Sequence, residues 1–169
     1  MRTNSRMTTW RFFPFLILAL LAAPALAADH GSGLPIPRFV TLKSDETNAR
    51  TGPGTRYPIQ WVYRKAGMPV EVIEEYDLWR KIRDADGGAG WVHKTMILGT
   101  RNVMITGKPP RVLRIDADLK TKPLLKVEPQ VIARLVECQK DWCRIQVSGR
   151  KGWIEKKYLW GVYPEEIIE

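Results

Sequence analysis

The chain has 169 residues, with 27 Lys and Arg against 18 Asp and Glu, a formal charge of +9, two cysteines and 12 prolines. That length excludes an enzyme with separate cofactor and substrate domains, and a hydrophobic fraction of 44% excludes a disordered tail protein. One domain, or two small β-barrels of roughly 60 residues, would fit.

Residues 1–27 have the layout of an export signal. Arg2, Arg6 and Arg11 make a positive start, Phe12 to Ala23 is an apolar run, and Pro24-Ala25-Leu26-Ala27 ends in a small-x-small cleavage pattern. Cleavage after Ala27 removes three arginines and no acid, which leaves 142 residues with a charge of +6. From Phe12 to Ala28 the segment offers 17 residues interrupted by Pro14 and Pro24, the bottom of the spanning range, so we expect removal rather than an anchor. Ala28 stands where a lipoprotein would need cysteine. The expected location is periplasmic or secreted, with no membrane span in the mature chain. Export also turns the positive surplus away from nucleic acid and toward anionic envelope polymers, acidic proteins or plain surface solvation.

Residues 28–38, with Leu34-Pro35-Ile36-Pro37, read as an extended lead-in. From residue 39 the chain repeats itself. Glu74-Glu75-Tyr76-Asp77-Leu78-Trp79-Arg80-Lys81-Ile82 is echoed 63 residues later by Glu137-Cys138-Gln139-Lys140-Asp141-Trp142-Cys143-Arg144-Ile145. Gly90-Trp91-Val92-His93-Lys94 matches Gly152-Trp153-Ile154-Glu155-Lys156 at an offset of 62. A period of that length exceeds solenoid repeats, so each copy is a domain. Both read as short strands separated by turn clusters, Asp84-Ala85-Asp86-Gly87-Gly88 in copy one and Ser148-Gly149-Arg150-Lys151-Gly152 in copy two. No helical apolar period persists in the mature chain. The expected division is a barrel over 39–99, a connection over 100–110, a second barrel over 111–163 and a tail over 164–169.

Asn48-Ala49-Arg50-Thr51-Gly52-Pro53-Gly54, then a Trp-x-Lys-Ile strand, then Gly-Trp-Val, resembles the bacterial SH3 family, the SH3b type. The resemblance implies an all-β chain of two tandem small SH3-like barrels, each of about five strands. The loop motif is Arg50, Gly52 and Pro53, with Arg50 expected to hold the loop by pairing with an acid, ligand contact being the alternative. Copy two lacks that turn and has Arg114-Ile115-Asp116-Ala117-Asp118 near the place.

Cys138 and Cys143 flank four residues and face each other if these form a hairpin, which favours a disulfide in an oxidising compartment. A metal or reactive pair is the competing reading, for which His30 and His93 would be the available partners. No cofactor is expected. Gly87-Gly88-Ala89-Gly90 lacks the Gly-Lys-Ser/Thr ending of a phosphate loop, and no nucleophile elbow, zinc helix or converging acid pair is present.

Strand alternation puts Ile82, Val92, Ile145 and Ile154 inward, and Trp79, Trp91, Trp142 and Trp153 on the outer faces. Those indoles either pack barrel ends and the contact between copies or form ligand surface. In the wider SH3 fold a groove for extended peptides lies at this tryptophan. Carried over, it comprises Trp79, His93 and Met96 in copy one, and Trp142, Glu155 and Tyr158 in copy two. His93 and Glu155 replace the proline of that groove, which suits a peptide bearing charges. Lys81, Arg83, Lys94, Arg144 and Lys156 are the cations expected to meet its carboxylates. Three functions follow as expectations: a non-enzymatic module holding cell-wall peptide, an adaptor docking an envelope protein, or a regulatory subunit of a wall hydrolase.

Overall fold

The computed structural model describes residues 31–169, so the expected signal segment and its cleavage after Ala27 lie outside the described residues. Fourteen strands make two antiparallel sheets. The first contains β1 (Arg38–Leu42), β2 (Thr47–Arg50), β3 (Ile59–Tyr63), β4 (Pro69–Tyr76), β5 (Trp79–Arg83), β6 (Ala89–His93) and β7 (Ile97–Leu98). The second contains β8 (Asn102–Ile105), β9 (Arg111–Arg114), β10 (Pro123–Val127), β11 (Ile132–Cys138), β12 (Trp142–Val147), β13 (Arg150–Glu155) and β14 (Leu159–Trp160). The spatial orders, β3-β2-β6-β5-β4-β1-β7 and β10-β9-β13-β12-β11-β8-β14, are the same topology twice. Each sheet has seven strands where about five were expected. The extra pieces include the two-residue β7 and β14, which follow single 3-10 turns at Lys94–Met96 and Lys156–Tyr158 and pair with β1 and β8. No helix among the described residues is long and apolar enough to cross a membrane.

Each sheet rolls around its own core. Val40, Leu42, Ala49, Tyr63, Val70, Val72, Ile82 and Val92 come from six strands yet form one cluster, which a flat sheet cannot achieve. Copy two gathers Val103, Ile105, Leu113, Leu135, Ile145 and Ile154 with the two cysteines in the same way. The cysteines are bonded across the β11–β12 hairpin, where their α-carbons are 4.1 Å apart.

Alternation places Ile82, Val92, Ile145 and Ile154 inside, each at most 1% exposed. It also keeps Trp91 and Trp153 outside both core clusters, but not in solvent: they are 7% and 9% exposed, a correction to the expectation of open indoles. The cause is the pair of cations beside each ring. Trp91 lies between Lys81 and Arg50 in register, and Trp153 between Arg144 and Arg114. Long aliphatic stems on neighbouring strands cover an indole while their charged ends reach past it to a carboxylate or loop carbonyl.

The stretch 101–110, expected as a connection, contains β8, which pairs with β11 and β14 and sends Val103 and Ile105 into the second core. The tail is likewise built in. Ile168 exchanges both backbone hydrogen bonds with Cys138, at 2.7 and 3.0 Å. The Lys156 ammonium, buried beneath the tail, donates to the carbonyls of Lys140, Pro164 and Glu166 at 2.8–3.0 Å.

The two barrels meet along an aromatic seam. Phe39 stands edge-on to Trp160 with ring centres 5.0 Å apart, and Tyr163 tilts against it at 4.7 Å. The Trp160 indole donates to Pro69 O at 3.1 Å, and the Tyr163 hydroxyl to the buried carboxylate of Glu71 at 2.9 Å. Gly161 permits this approach: its φ is +115°, and a Cβ there would stand 3.2 Å from the Pro69 side chain of copy one as well as 2.5 Å from Asn102 O in its own barrel. The aromatic contact between copies is therefore made by Phe39, Trp160 and Tyr163, not by the four tryptophans considered for it. Asn102 Nδ2 and Lys65 Nζ add hydrogen bonds across it, to Gly67 O at 2.9 Å and Gln130 O at 3.0 Å.

Candidate functional site

In copy one, Trp79, His93 and Met96 line a single surface pocket of about 220 Å³ together with Glu46, Asn48, Arg50 and Thr55. In copy two, Trp142, Glu155 and Tyr158 line one of about 190 Å³ together with Pro110, Val112, Arg114 and Leu119, and with Arg111 and Ile154. These two sets correspond position by position. Glu46, Asn48, Arg50 and Thr55 lie 64 residues before Pro110, Val112, Arg114 and Leu119, while the other three follow the offsets of 63 and 62 already met. The fold thus builds one pocket twice and lines it differently.

Strand pairing explains the convergence. Trp79 is the cross-strand neighbour of His93, as Trp142 is of Glu155, so each pair forms one wall. The Trp79 and His93 rings meet edge-on at 5.5 Å. His93 Nδ1 faces the Thr95 hydroxyl at 2.8 Å, which ties the imidazole to the 3-10 turn that carries Met96. The equivalent turn in copy two carries Tyr158.

The arginines form the opposite side. Arg50 donates through one guanidinium nitrogen to Thr55 O at 3.1 Å and Tyr57 O at 2.7 Å. It holds the loop through carbonyls; no acid takes part in these contacts. Gly52 is buried there, and a Cβ would sit 2.5 Å from the Tyr57 ring, while Pro53 beside it is half-buried. Arg114 donates to Thr121 O, seven residues ahead, as Tyr57 is seven ahead of Arg50. Copy two therefore keeps the arginine and its role while losing the surrounding motif.

The cations expected to serve the groove are mostly committed elsewhere. Lys81 pairs with Glu74 at 3.0 Å, Arg144 with Glu137 at 3.0 Å, Arg83 with Glu71, and Lys156 with its three carbonyls. The basic groups lining the pockets are instead Arg50 in copy one and Arg111 and Arg114 in copy two. Arg111 stacks on the Tyr158 ring with its guanidinium carbon 3.8 Å from the centre. Lys157 lies 4.9 Å from the same ring and pairs with Glu155 at 2.6 Å, which holds its ammonium above the ordinary lysine range. The sequence signal for the arginines was their spacing of 64 residues, hidden because the residues after them differ.

Residues 43–99 and 107–161 match the bacterial SH3 domain family, and the matched segments hold six of the seven strands in each sheet. YrvJ of Bacillus subtilis (strain 168), by its name a candidate N-acetylmuramoyl-L-alanine amidase, is 24% identical over 154 residues, covering 85% of this chain. The match takes in 30% of that protein, so the chain spans less than a third of its length. Among solved structures, similarity extends to NlpC2 from Trichomonas vaginalis, at 11% identity and a TM-score of 0.34 over 73% of this chain and 48% of that one. It extends also to an NlpC/P60 family protein from Bacillus cereus ATCC 10987, at 14% and 0.32 over 72% and 55%. Two sheets of one topology, each within a matched segment but for its first strand, make the chain a member of the bacterial SH3 domain family, present as a tandem pair.

Proposed function

We propose that the protein is a non-enzymatic, exported binding module that holds peptide portions of the cell wall. The observation that carries this reading is the duplicated pocket, with a half-buried tryptophan and an arginine at equivalent positions in both barrels. A flat indole beside a guanidinium offers stacking area and fixed donors, the combination that recognises a charged peptide. A binder rather than a catalyst is supported by membership of the bacterial SH3 domain family and by pocket walls built around an indole and a guanidinium. Likeness to part of a protein named as a wall amidase makes a wall peptide the ligand to test.

Co-sedimentation with purified peptidoglycan sacculi at low and high salt is the direct test. Part of the retention should persist as salt rises, because stacking on indoles is not screened, while the share owed to guanidinium and carboxylate attraction and any non-specific charge-driven adhesion fade. Trp79→Ala with Trp142→Ala should lower the bound fraction about tenfold or more, the scale of a central aromatic contact. Unchanged retention in the double variant removes the pocket assignment, and absence of any sedimentation removes the wall as ligand. In that second case, crosslinking that captures one envelope protein would identify an adaptor.

A further inference from the structure

The two pockets share a plan but differ in charge. Around the copy-two pocket stand Arg111, Arg114 and Lys157 against the single acid Glu155, and that acid is already paired with Lys157. Neither Arg111 nor Arg114 has an acid partner among the described residues. Their hydrogen bonds go to the carbonyls of Lys108 and Thr121, and Arg111 Nε is buried without an acceptor. Facing them, Pro110, Val112, Leu119 and Trp142 give an apolar wall. In copy one, Glu46 takes the place of Pro110, Asn48 of Val112 and Thr55 of Leu119. Its one guanidinium serves two loop carbonyls, and the Glu46 carboxylate has only an exposed pairing with Arg64 at 3.4 Å.

We infer that the copy-two pocket is a carboxylate site, which takes the free C-terminal end of a short wall peptide with its last, small apolar side chain against Trp142, Val112 and Leu119. This rests on the wall-binding reading above and adds which end of the peptide is held and by which copy. Guanidinium groups without an acid partner match a carboxylate in geometry and charge. A pocket of about 190 Å³ is smaller than sites that enclose a whole small molecule, and so accepts a chain end. The copy-one pocket carries the Glu46 carboxylate in its lining, a like charge that repels an incoming carboxylate, and does not hold that end. Its polar wall suits a neutral or cationic stretch of the same ligand.

The test uses two synthetic probes, acetyl-Lys-Ala-Ala with a free C-terminal carboxylate and the same peptide as its C-terminal amide, titrated into the 15N-labelled protein. The free acid should shift the Trp142 indole N–H signal and bind about tenfold tighter than the amide, the weight of one charge-assisted hydrogen bond. Trp79 should not distinguish the acid from the amide. Arg111→Gln should bring the acid down to the affinity of the amide, and Arg111→Lys should recover part of the difference. Equal binding of acid and amide by the unaltered protein, response at Trp79 in place of Trp142, or no binding of either probe overturns the assignment. If sacculi still retain the protein in those cases, the wall reading stands and only the carboxylate site falls. Acid-selective binding at Trp142 without retention by sacculi keeps the site and removes the wall as its source.

Discussion

Glu75 and Arg80 face each other across the β4–β5 hairpin, at 2.9 Å, in the positions that Cys138 and Cys143 occupy across β11–β12. One copy closes its hairpin with a buried ion pair and the other with a covalent bond. Both closures also anchor a chain segment. Glu75 accepts from the Ser32 backbone and hydroxyl and from Arg38, tying down the lead-in, while Cys138 pairs with Ile168 of the tail.

Glu75→Gln should destabilise the protein by about 3 kcal/mol, because it leaves a buried guanidinium without its counter-charge. Arg80 is 4% exposed, so water cannot replace the carboxylate. Urea unfolding of the variant measures this, and a midpoint equal to that of the parent would show the pair to be energetically idle.

Stability should fall on both sides of a plateau between about pH 5 and pH 9. Burial pushes the Glu75 carboxyl up, but donors from Ser32 and Arg38 outweigh it and hold the group below the ordinary carboxylate range. Glu166 behaves alike, with burial opposed by Arg101 and the Tyr163 N–H. A depressed carboxylate gives stability that is full above its unfolded value and disappears as pH falls through the folded one. Burial, together with the bond to Glu71, pushes the Tyr163 phenol up, so its contribution is full below the ordinary phenol value and declines as alkali ionises it. Melting midpoints against pH check both limbs: Glu75→Gln should lessen the acid-side loss and Tyr163→Phe the alkaline-side loss, the remainder resting with Glu166 and with the Tyr63 phenol, which burial also pushes up.

Reduction of the disulfide should cost about 2 kcal/mol, the entropy of closing so short a loop. Because Cys138 also pairs with Ile168, amide exchange at Ile168 should speed up with it. Hydrogen exchange with and without a reductant reads this directly. An Ile168 amide equally protected in both states would show that the bond is not what holds the tail.

Trp160→Ala should loosen the seam, at a cost of about 3 kcal/mol for a packed aromatic removed. Its indole donates to Pro69 O and its ring meets Phe39, so both its polar and apolar contacts with copy one would go. Calorimetry should then resolve two unfolding transitions in place of one. A single unshifted transition would mean that the barrels are coupled by other contacts.

Much of this was legible in the residues. The period of about 62 appears because turn glycines and strand tryptophans recur, and alternation assigns the four buried aliphatics correctly because each core is apolar and each outer face charged. Cys138 and Cys143 announce their pairing by spacing. Glu75 and Arg80 do not, since an ion pair and a disulfide share no residue type even when the backbone is the same. Strand β8 was hidden by Gly107, Pro109 and Pro110 just beyond it, which dominate any reading of 101–110 as linker. Covering of Trp91 and Trp153 depends on how far Lys81, Arg50, Arg144 and Arg114 reach across neighbouring strands, a tertiary fact that alternation along one strand does not contain.

The seam of Phe39, Trp160 and Tyr163 makes the separation of the two pockets a built-in length, as in a pair of calipers. A polymer offering two grips at that spacing gains the effective concentration of a second, intramolecular event, while a soluble fragment with one grip gains nothing. On the proposed wall-binding reading, discrimination between intact mesh and its debris then requires no extra contact at either grip, only stiffness at the seam.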